Sequence, residues 1–292
     1  MPYAPADDGT KLHYEEAGHG TPVIFVHELA GDSRSWTLQM QALAPHHRCI
    51  AFDARGYPPS DVPPAGAYSQ AHAADDVAAV LRHLGIARAH VVGLSMGGFA
   101  TLHFGLRHGD KALSLTIAGC GHGADPRTRA TFRADCASSA ELIERQGMAA
   151  FAERYGVSPT RLRFRTKNPG AWAEFAARLA GHSAAGTANT LRGVQMARPS
   201  LWDLVDEIGR VSLPTLILTG DEDDPCLEAG ILMKRAMMRA GMVVFAQSGH
   251  TINLEEPELF NRTLADFLRA VDAGGWEPRD PKSMTGAFLG AR

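Results

Sequence analysis

The segment 93–97, with the sequence GLSMG, places a serine midway between two glycines. An apolar run at 90–94 predicts a buried strand before Ser95, and residues 96–107 have the spacing of a helix after it. At such a strand-to-helix turn the backbone is strained, and the glycines avoid clashes that side chains would cause. The turn would raise the Ser95 hydroxyl above one edge of a sheet, near helix N–H groups that can stabilise an anion. These features favour Ser95 as a nucleophile.

A serine hydroxyl needs a nearby base, and histidine has the most suitable pKa for accepting its proton. Of thirteen histidines, His250 stands out because it follows a predicted strand at 243–246 and precedes the acidic, proline-bearing segment 254–257. The histidine in turn needs a carboxylate that fixes its tautomer and stabilises its charged form. Four consecutive acidic residues at 221–224 follow another predicted strand, and each of them is a candidate at this point.

Alternating strands and helices would position these side chains. Apolar runs typical of strands buried on both faces lie at residues 23–26, 49–52, 90–94, 113–118 and 214–218. Helical patterns separate most of these runs, and this alternation predicts parallel βαβ units. The predicted fold class is therefore α/β, with a doubly wound, mostly parallel sheet.

Residues 121–212 interrupt the alternation, because they contain helical stretches and no convincing strand. We interpret them as a helical cap that lies over the sheet and does not fold separately. The predicted division is a core of residues 1–120 and 213–292 with an inserted cap of residues 121–212.

The composition, with 45% hydrophobic and 21% charged residues, is ordinary for a soluble globular protein. A net charge of −3 gives no strong field toward nucleic acid or an anionic membrane, so we expect neither partner.

We find no secretory signal and no apolar run of membrane-spanning length. Four scattered cysteines indicate reduced thiols, so we expect a cytoplasmic protein. Metal-binding and nucleotide-binding motifs are lacking, and we expect no metal and no cofactor.

Five segments together resemble the α/β-hydrolase superfamily over nearly the whole chain. They are VIFVHELAGDSRSW at 23–36, FDARGYPPSD at 52–61, VVGLSMGG at 91–98, LILTGDEDDPC at 216–226 and SGHTINLEEP at 248–257. The family pattern G-x-x-D selects Asp223 as the acid, while Asp221 is the main rival and would otherwise serve in a turn. The resemblance also implies that the base lies in the loop after the last strand, where His250 stands. The resulting chain order of serine, aspartate and histidine is the order that this fold uses.

The resemblance further implies an oxyanion hole, in which backbone N–H groups stabilise the negative oxygen of a tetrahedral intermediate. The N–H of Met96 would supply one donor, and the N–H of Leu29 would supply the other by resemblance to the H-G-x motif. The chain departs from that motif at Glu28, where glycine is usual. Glu28 either points away from the site into a local hydrogen bond or ion pair, or lines the pocket and influences substrate choice. His27 is interpreted as a structural loop residue.

The candidate pocket residues are His27, Glu28, His122 and Trp202. His122 follows the strand that leads into the cap, and Trp202 is one of several cap aromatics that could contact an apolar substrate. A cluster of cap arginines is interpreted mainly as a solvated face paired with surface acids, although one arginine in the pocket could bind a substrate carboxylate. The cluster comprises Arg127, Arg129, Arg133, Arg161, Arg163 and Arg165.

The resemblance implies a serine hydrolase that transfers an acyl group to water through a covalent intermediate. A small or medium carboxylic ester is the expected substrate, and lactones, including enol-lactones, are the first alternative. Carbon–carbon bond hydrolysis and perhydrolysis use the same triad and stay open, whereas Ser95 argues against family members that use an aspartate at this turn. A receptor that keeps the triad but turns over slowly is the alternative of another class. The oligomeric state is open, a homo-oligomer included.

Overall fold

The computed structural model describes residues 2–284, which form a sheet of eight strands. The strands are β1 (Tyr3–Pro5), β2 (Lys11–Ala17), β3 (Thr21–Val26), β4 (His47–Phe52), β5 (Ala89–Leu94), β6 (Ala112–Ala118), β7 (Thr215–Gly220) and β8 (Ala240–Phe245). Their order across the sheet is β1-β2-β4-β3-β5-β6-β7-β8. The β1–β2 and β2–β4 pairs are antiparallel, and all other pairs are parallel. The predicted doubly wound, mostly parallel sheet is confirmed.

Eleven α-helices precede, connect or follow the strands in the described residues. They are α1 (Thr37–Leu43), α2 (Gln70–His83), α3 (Met96–His108), α4 (Arg129–Gly156), α5 (Leu162–Lys167), α6 (Pro169–Ala180), α7 (Ala184–Thr190), α8 (Val205–Gly209), α9 (Asp224–Ala236), α10 (Ile252–Glu255) and α11 (Pro257–Asp272). Apolar side chains of α1 and α11 pack on one face, and those of α2, α3 and α9 pack on the other. Because both faces are covered, every residue of β5 and β7 is buried, as their continuous apolar sequences predict.

Helices α4 to α8 lie between β6 and β7. The inserted helical cap is formed by α4 to α7, whereas α8 packs against α9 of the core. A third apolar cluster joins this cap to the loops at the carboxyl ends of the strands, with Leu29, Tyr57 and Met96 on the core side. Helix α4 is kinked at Gly147, whose φ of 82° is the left-handed conformation that glycine adopts without strain. The boundaries 121 and 212 stay a prediction, and residues 285–292 of the predicted core lie outside the described residues. Within residues 2–284, no helix is both long and apolar enough to cross a membrane.

One stability prediction concerns His103, which is half-buried on α3. Burial, together with the charges of Arg198 and Arg107, lowers the pKa of His103 from 6.5 to about 4. The unfolded chain therefore binds this proton more tightly, so the free energy of unfolding should fall as the pH drops from 6.5 toward 4. At pH 4.5 the loss from this group should be about 2 kcal/mol relative to pH 8.

Urea unfolding of the wild type and of His103→Gln at pH 8 and pH 4.5 measures this contribution. Glutamine does not titrate, so the variant should lose less stability than the wild type between the two pH values. An equal loss in both proteins would show that His103 does not carry this part of the acid sensitivity.

Candidate functional site

Ser95 occupies the turn between β5 and α3 with a φ of 57°, a strained conformation that costs about 1–3 kcal/mol outside glycine. Close approaches require the flanking glycines. A Cβ on Gly93 would lie 2.1 Å from the carbonyl oxygen of Gly97, and a Cβ on Gly97 would lie 2.0 Å from that of Val26. The N–H of Ser95 donates to the carbonyl of Ala118 in β6 at 2.8 Å. Neighbouring strands therefore hold the strained turn in place.

Asp223 and His250 meet at the same edge of the sheet, because each follows the carboxyl end of a parallel strand. The Nδ1 atom of His250 lies 2.6 Å from Oδ2 of Asp223, and both side chains are almost fully buried. Burial alone would raise the pKa of Asp223. The charge of His250 and hydrogen bonds from His250 and His122 nevertheless hold that pKa well below its usual range. The ionised Asp223 can keep the proton of His250 on Nδ1, which leaves Nε2 free to act as a base.

A second histidine, His122, contacts the other oxygen of Asp223. Its Nε2 atom lies 3.3 Å from Oδ1, and its ring meets the ring of His250 edge-on with centroids 5.1 Å apart. Burial is the main cause that lowers the pKa of His122, and the nearby charge of His250 adds to it. His122 is thus neutral at pH 7, and its Nε2–H donates to the carboxylate. The aspartate is held by hydrogen bonds on both oxygens.

A cavity of about 260 Å³ lies between these residues and the cap. On the core side it is lined by Leu29, Ser95, His122 and His250. On the cap side it is lined by Phe132, Asp135, Cys136, Ser139, Phe151, Tyr155, Ser158, Thr160, Leu191 and Gln195. Leu191 and Gln195 are the first and last residues of a π-helical turn that continues α7, an irregularity that often marks functional sites. The cavity size suits a small organic molecule with its reacting bond near Ser95.

The two amides predicted for an oxyanion hole come from the start of α3 and from the loop after β3. Met96 is the first residue of α3, a position at which the backbone N–H has no partner within the helix. Leu29 follows β3 and lines the cavity together with Ser95. The Leu29 carbonyl accepts a hydrogen bond from the Tyr57 hydroxyl at 2.8 Å, and this bond restrains the loop.

The structure differs from the predicted pocket at His27. Both ring nitrogens of His27 form hydrogen bonds with the backbone. Nδ1 donates to the Glu28 carbonyl at 2.7 Å, and Nε2 accepts from the N–H of Ala54 at 3.0 Å. Burial lowers its pKa, so the ring is neutral. His27 therefore braces two loops, as its structural interpretation predicts, and it does not line the cavity.

Glu28 and Trp202 also lie outside the lining of this cavity. The side chain of Glu28 is 1% exposed and pairs with Arg161 of the cap, which agrees with the interpretation as an ion pair. That pair is not local, however, because 133 positions separate the two residues. Trp202 is half-buried and packs against the apolar cluster on the sheet face that α2, α3 and α9 cover. Of the four predicted pocket residues, only His122 lines the cavity.

The solvated face predicted for the cap arginines holds for some members and is wrong for Arg161. Arg127 pairs with Asp125 and Arg163 with Glu222, and both arginines are substantially exposed. Arg161 is fully buried. Its type and its spacing from Arg163 carry no signal of this difference, because burial depends on the packing of the cap against the core.

Four side chains of the site offer ligand atoms that lie within 4.8 Å of one another. They belong to His122, Asp223, Cys226 and His250. Nitrogen, sulfur and carboxylate donors of this kind suit Zn²⁺. A metal ion there would compete for Asp223 with its hydrogen bonds to His122 and His250. Deprotonation of the Cys226 thiol is opposed by burial, which raises its pKa well above 9. The absence of a metal stays a prediction.

Sequence reasoning missed most of the cavity's cap side. Cys136 and Gln195 line it but belong to no motif. Their side chains face the core only because α4 and the π-helical turn fold back over the sheet. The one available signal was the cap's apolar spacing, which indicates a packed face without indicating which part of that face encloses a cavity.

A family model described as "alpha/beta hydrolase fold" matches residues 21–257 of this chain. Among curated relatives, a 2-hydroxy-6-oxo-6-phenylhexa-2,4-dienoate hydrolase of Comamonas testosteroni is 28% identical over 88% of this chain and 91% of its own. An enol-lactonase structure from Burkholderia xenovorans LB400 is 26% identical, with a TM-score of 0.80 over 92% of this chain and 100% of its own. An esterase structure from Thermogutta terrifontis is 27% identical, with a TM-score of 0.82 over 92% and 98%.

The matched residues extend from β3 to the first residue of α11, so they include the strained serine turn, the Asp223–His250 pair and the inserted helices. The chain belongs to the alpha/beta hydrolase fold family.

Proposed function

We propose that this protein is a serine hydrolase that cleaves a small or medium carboxylic ester, with Ser95, His250 and Asp223 as its triad. The hydrogen bond between Asp223 and Nδ1 of His250 carries the proposal, since it prepares Nε2 as a base beside the cavity that Ser95 lines. The strained backbone at Ser95 supports it further, because such strain persists where the fold holds a group for a purpose.

The first half of the reaction would form an acyl-enzyme. The Ser95 Oγ attacks the ester carbonyl carbon while its proton passes to Nε2 of His250. The carbonyl oxygen becomes an oxyanion, which the N–H groups of Leu29 and Met96 stabilise. The intermediate then expels the alcohol, which takes the proton from His250. Asp223 stabilises the imidazolium throughout.

The second half would release the acid. A water molecule gives a proton to His250 and attacks the carbonyl carbon of the acyl-enzyme. The same two amides hold the second oxyanion, and its collapse returns the proton to Ser95. Because the cavity lies under the cap, the acyl group would be held away from bulk water except near the cavity's opening.

A lactone is the second candidate substrate. It is favoured because the enol-lactonase structure matches this chain as well as the esterase structure does, at nearly equal identity and TM-score. Lactone opening would use the same steps, with the leaving alcohol still attached to the acyl group. The resemblance to a carbon–carbon bond hydrolase makes vinylogous diketones a third group to assay.

The experiment is a turnover screen with p-nitrophenyl acetate and butyrate, simple lactones and vinylogous diketones, each with Ser95→Ala as the control. Mass spectrometry after rapid acid quench should show the acyl group on Ser95 for a productive ester. Turnover equal to that of Ser95→Ala for every substrate, combined with tight binding of a small molecule, would replace the enzyme with a receptor.

A further inference from the structure

Arg161 of the cap and Glu28 of the loop after β3 form an ion pair that solvent does not reach. Their side chains are 0% and 1% exposed. The guanidinium donates to both carboxylate oxygens of Glu28, to the hydroxyl of Tyr155 at 2.8 Å and to the hydroxyl of Thr251. It also lies over the rings of Tyr155 and Phe175, 4.9 Å and 5.1 Å from their centroids.

Such a pair is not explained by stability alone. Removing two charges from water is costly, and well-packed apolar residues of similar size are often at least as stabilising. What a buried pair with several hydrogen bonds does provide is geometry, because each bond restricts a planar guanidinium and the groups around it. The relevant question is therefore which groups Glu28 and Arg161 hold in place.

Glu28 holds the peptide unit whose N–H belongs to Leu29. The carbonyl oxygen of that unit accepts from Nδ1 of His27 at 2.7 Å and from the N–H of Gly31 at 3.1 Å. In a trans peptide the N–H points opposite to the carbonyl, so fixing the oxygen also sets the direction of the Leu29 N–H. The Glu28 side chain anchors the same unit at its Cα, an anchor that the usual glycine could not provide.

Arg161 holds the loop of the catalytic histidine through the same guanidinium. Thr251, which accepts its hydrogen bond, directly follows His250 in the chain. The N–H groups of Gly249 and Thr251, on either side of His250, donate to the Glu255 carboxylate at 2.7 and 2.8 Å. One cap side chain therefore contacts both the loop that carries the oxyanion donor and the loop that carries the base.

We propose that Glu28 and Arg161 are positioning residues that align the Leu29 amide and the His250 loop with Ser95 when the cap is seated on the core. This inference rests on the proposed function, because it assigns these residues to the oxyanion hole of that reaction. The pair acts through Leu29 and His250 and does not contact the substrate itself. Seating of the cap and alignment of the catalytic groups then depend on a common ion pair.

The decisive variant is the double substitution Glu28→Gln with Arg161→Met, which removes both charges and leaves neither partner buried alone. Single substitutions leave an unpaired group and can prevent folding. Loss of one oxyanion donor costs about 10²–10³ in rate, so misplacing it should lower kcat about 10- to 100-fold, with KM changed less than about threefold. A trifluoromethyl ketone, which forms a tetrahedral adduct with serine, should lose affinity by a similar factor. The single substitution Arg161→Lys keeps the charge, so this variant should keep a higher kcat than the double variant.

The matched control is Arg163→Gln. Arg163 lies two residues further along the cap and also pairs with a core residue, Glu222, but that pair is exposed and does not involve the loop of Leu29. This variant should keep wild-type kcat and wild-type affinity for the ketone. A double variant that folds with the thermal midpoint of the wild type and keeps its kcat would overturn the proposal.

Labelling with a fluorophosphonate separates this inference from the proposed function. Ser95 Oγ would form a bond to phosphorus, fluoride would leave, and the hydroxyl proton would pass to His250. If the wild type labels at Ser95 but turns over no ester, the proposed function fails, while slower labelling of the double variant still supports the positioning role. Equal labelling rates for the two proteins would refute it, and a wild type that does not label at Ser95 refutes both proposals.

Discussion

Replacing Ser95 with alanine should lower kcat/KM for an ester by a factor of about 10⁴ or more. The covalent route is lost, and what remains is catalysis of direct water attack by the oxyanion donors and the cavity. Binding should change little, because the substitution removes one oxygen atom from a cavity of about 260 Å³. Alanine must adopt the same φ of 57°, so the backbone strain persists and the thermal midpoint should stay close to that of the wild type.

Steady-state kinetics with p-nitrophenyl butyrate, together with the affinity of a non-hydrolysable amide analogue, measure the two quantities separately. Ser139→Ala is the matched control because Ser139 lines the same cavity from the cap but lacks the strained turn. We expect it to lose less than about tenfold in kcat/KM. Comparable losses in the two variants would mean that the Ser95 hydroxyl is one polar contact among several and not the nucleophile.

The features of the candidate site that follow from the sequence are those set by local geometry. The turn at Ser95 leaves no room for a side chain at positions 93 and 97. Because only glycine fits there, the two glycines identify the turn in the sequence. Asp223 and His250 each follow a buried apolar strand, and the carboxyl ends of parallel strands meet at one edge. The sheet itself is predictable for the same reason, since the apolar runs within β5 and β7 predict strands buried on both faces, and every residue of these two strands is buried.

The pairing of Glu28 with Arg161 cannot be predicted from the local sequence. Nothing near Glu28 indicates a partner 133 positions away. Arg161 and Arg163 are two positions apart and chemically identical, yet one is fully buried and the other pairs with Glu222 at the surface. The difference arises from the way in which the cap folds onto the core, which depends on many apolar contacts at once. A local pattern therefore indicates the candidate reactive groups, but it does not indicate that Glu28 and Arg161 pair.

The second large effect is expected for Asp223→Asn, which should lower kcat about 10⁴-fold. An asparagine amide would donate to Nδ1 of His250, placing the imidazole proton on Nε2, where it cannot accept the proton of Ser95. His122 also loses its carboxylate partner and keeps only a weaker contact with the new side chain. Kinetics at pH 7 measure the loss, and the affinity of the amide analogue should be nearly unchanged.

Asp221→Asn is the control that decides between the two acids left open by the sequence. Asp221 accepts the N–H of Ser248 at 3.0 Å, and backbone N–H groups of Gln247 and Ser248 lower its pKa. An asparagine oxygen can accept the same bond, so this variant should lose less than about tenfold in kcat. A larger loss for Asp221→Asn than for Asp223→Asn would transfer the role of the acid to Asp221. That result would require the loop after β7 to shift until the Asp221 carboxylate reaches His250, because Asp223 is the acid that contacts it here at 2.6 Å.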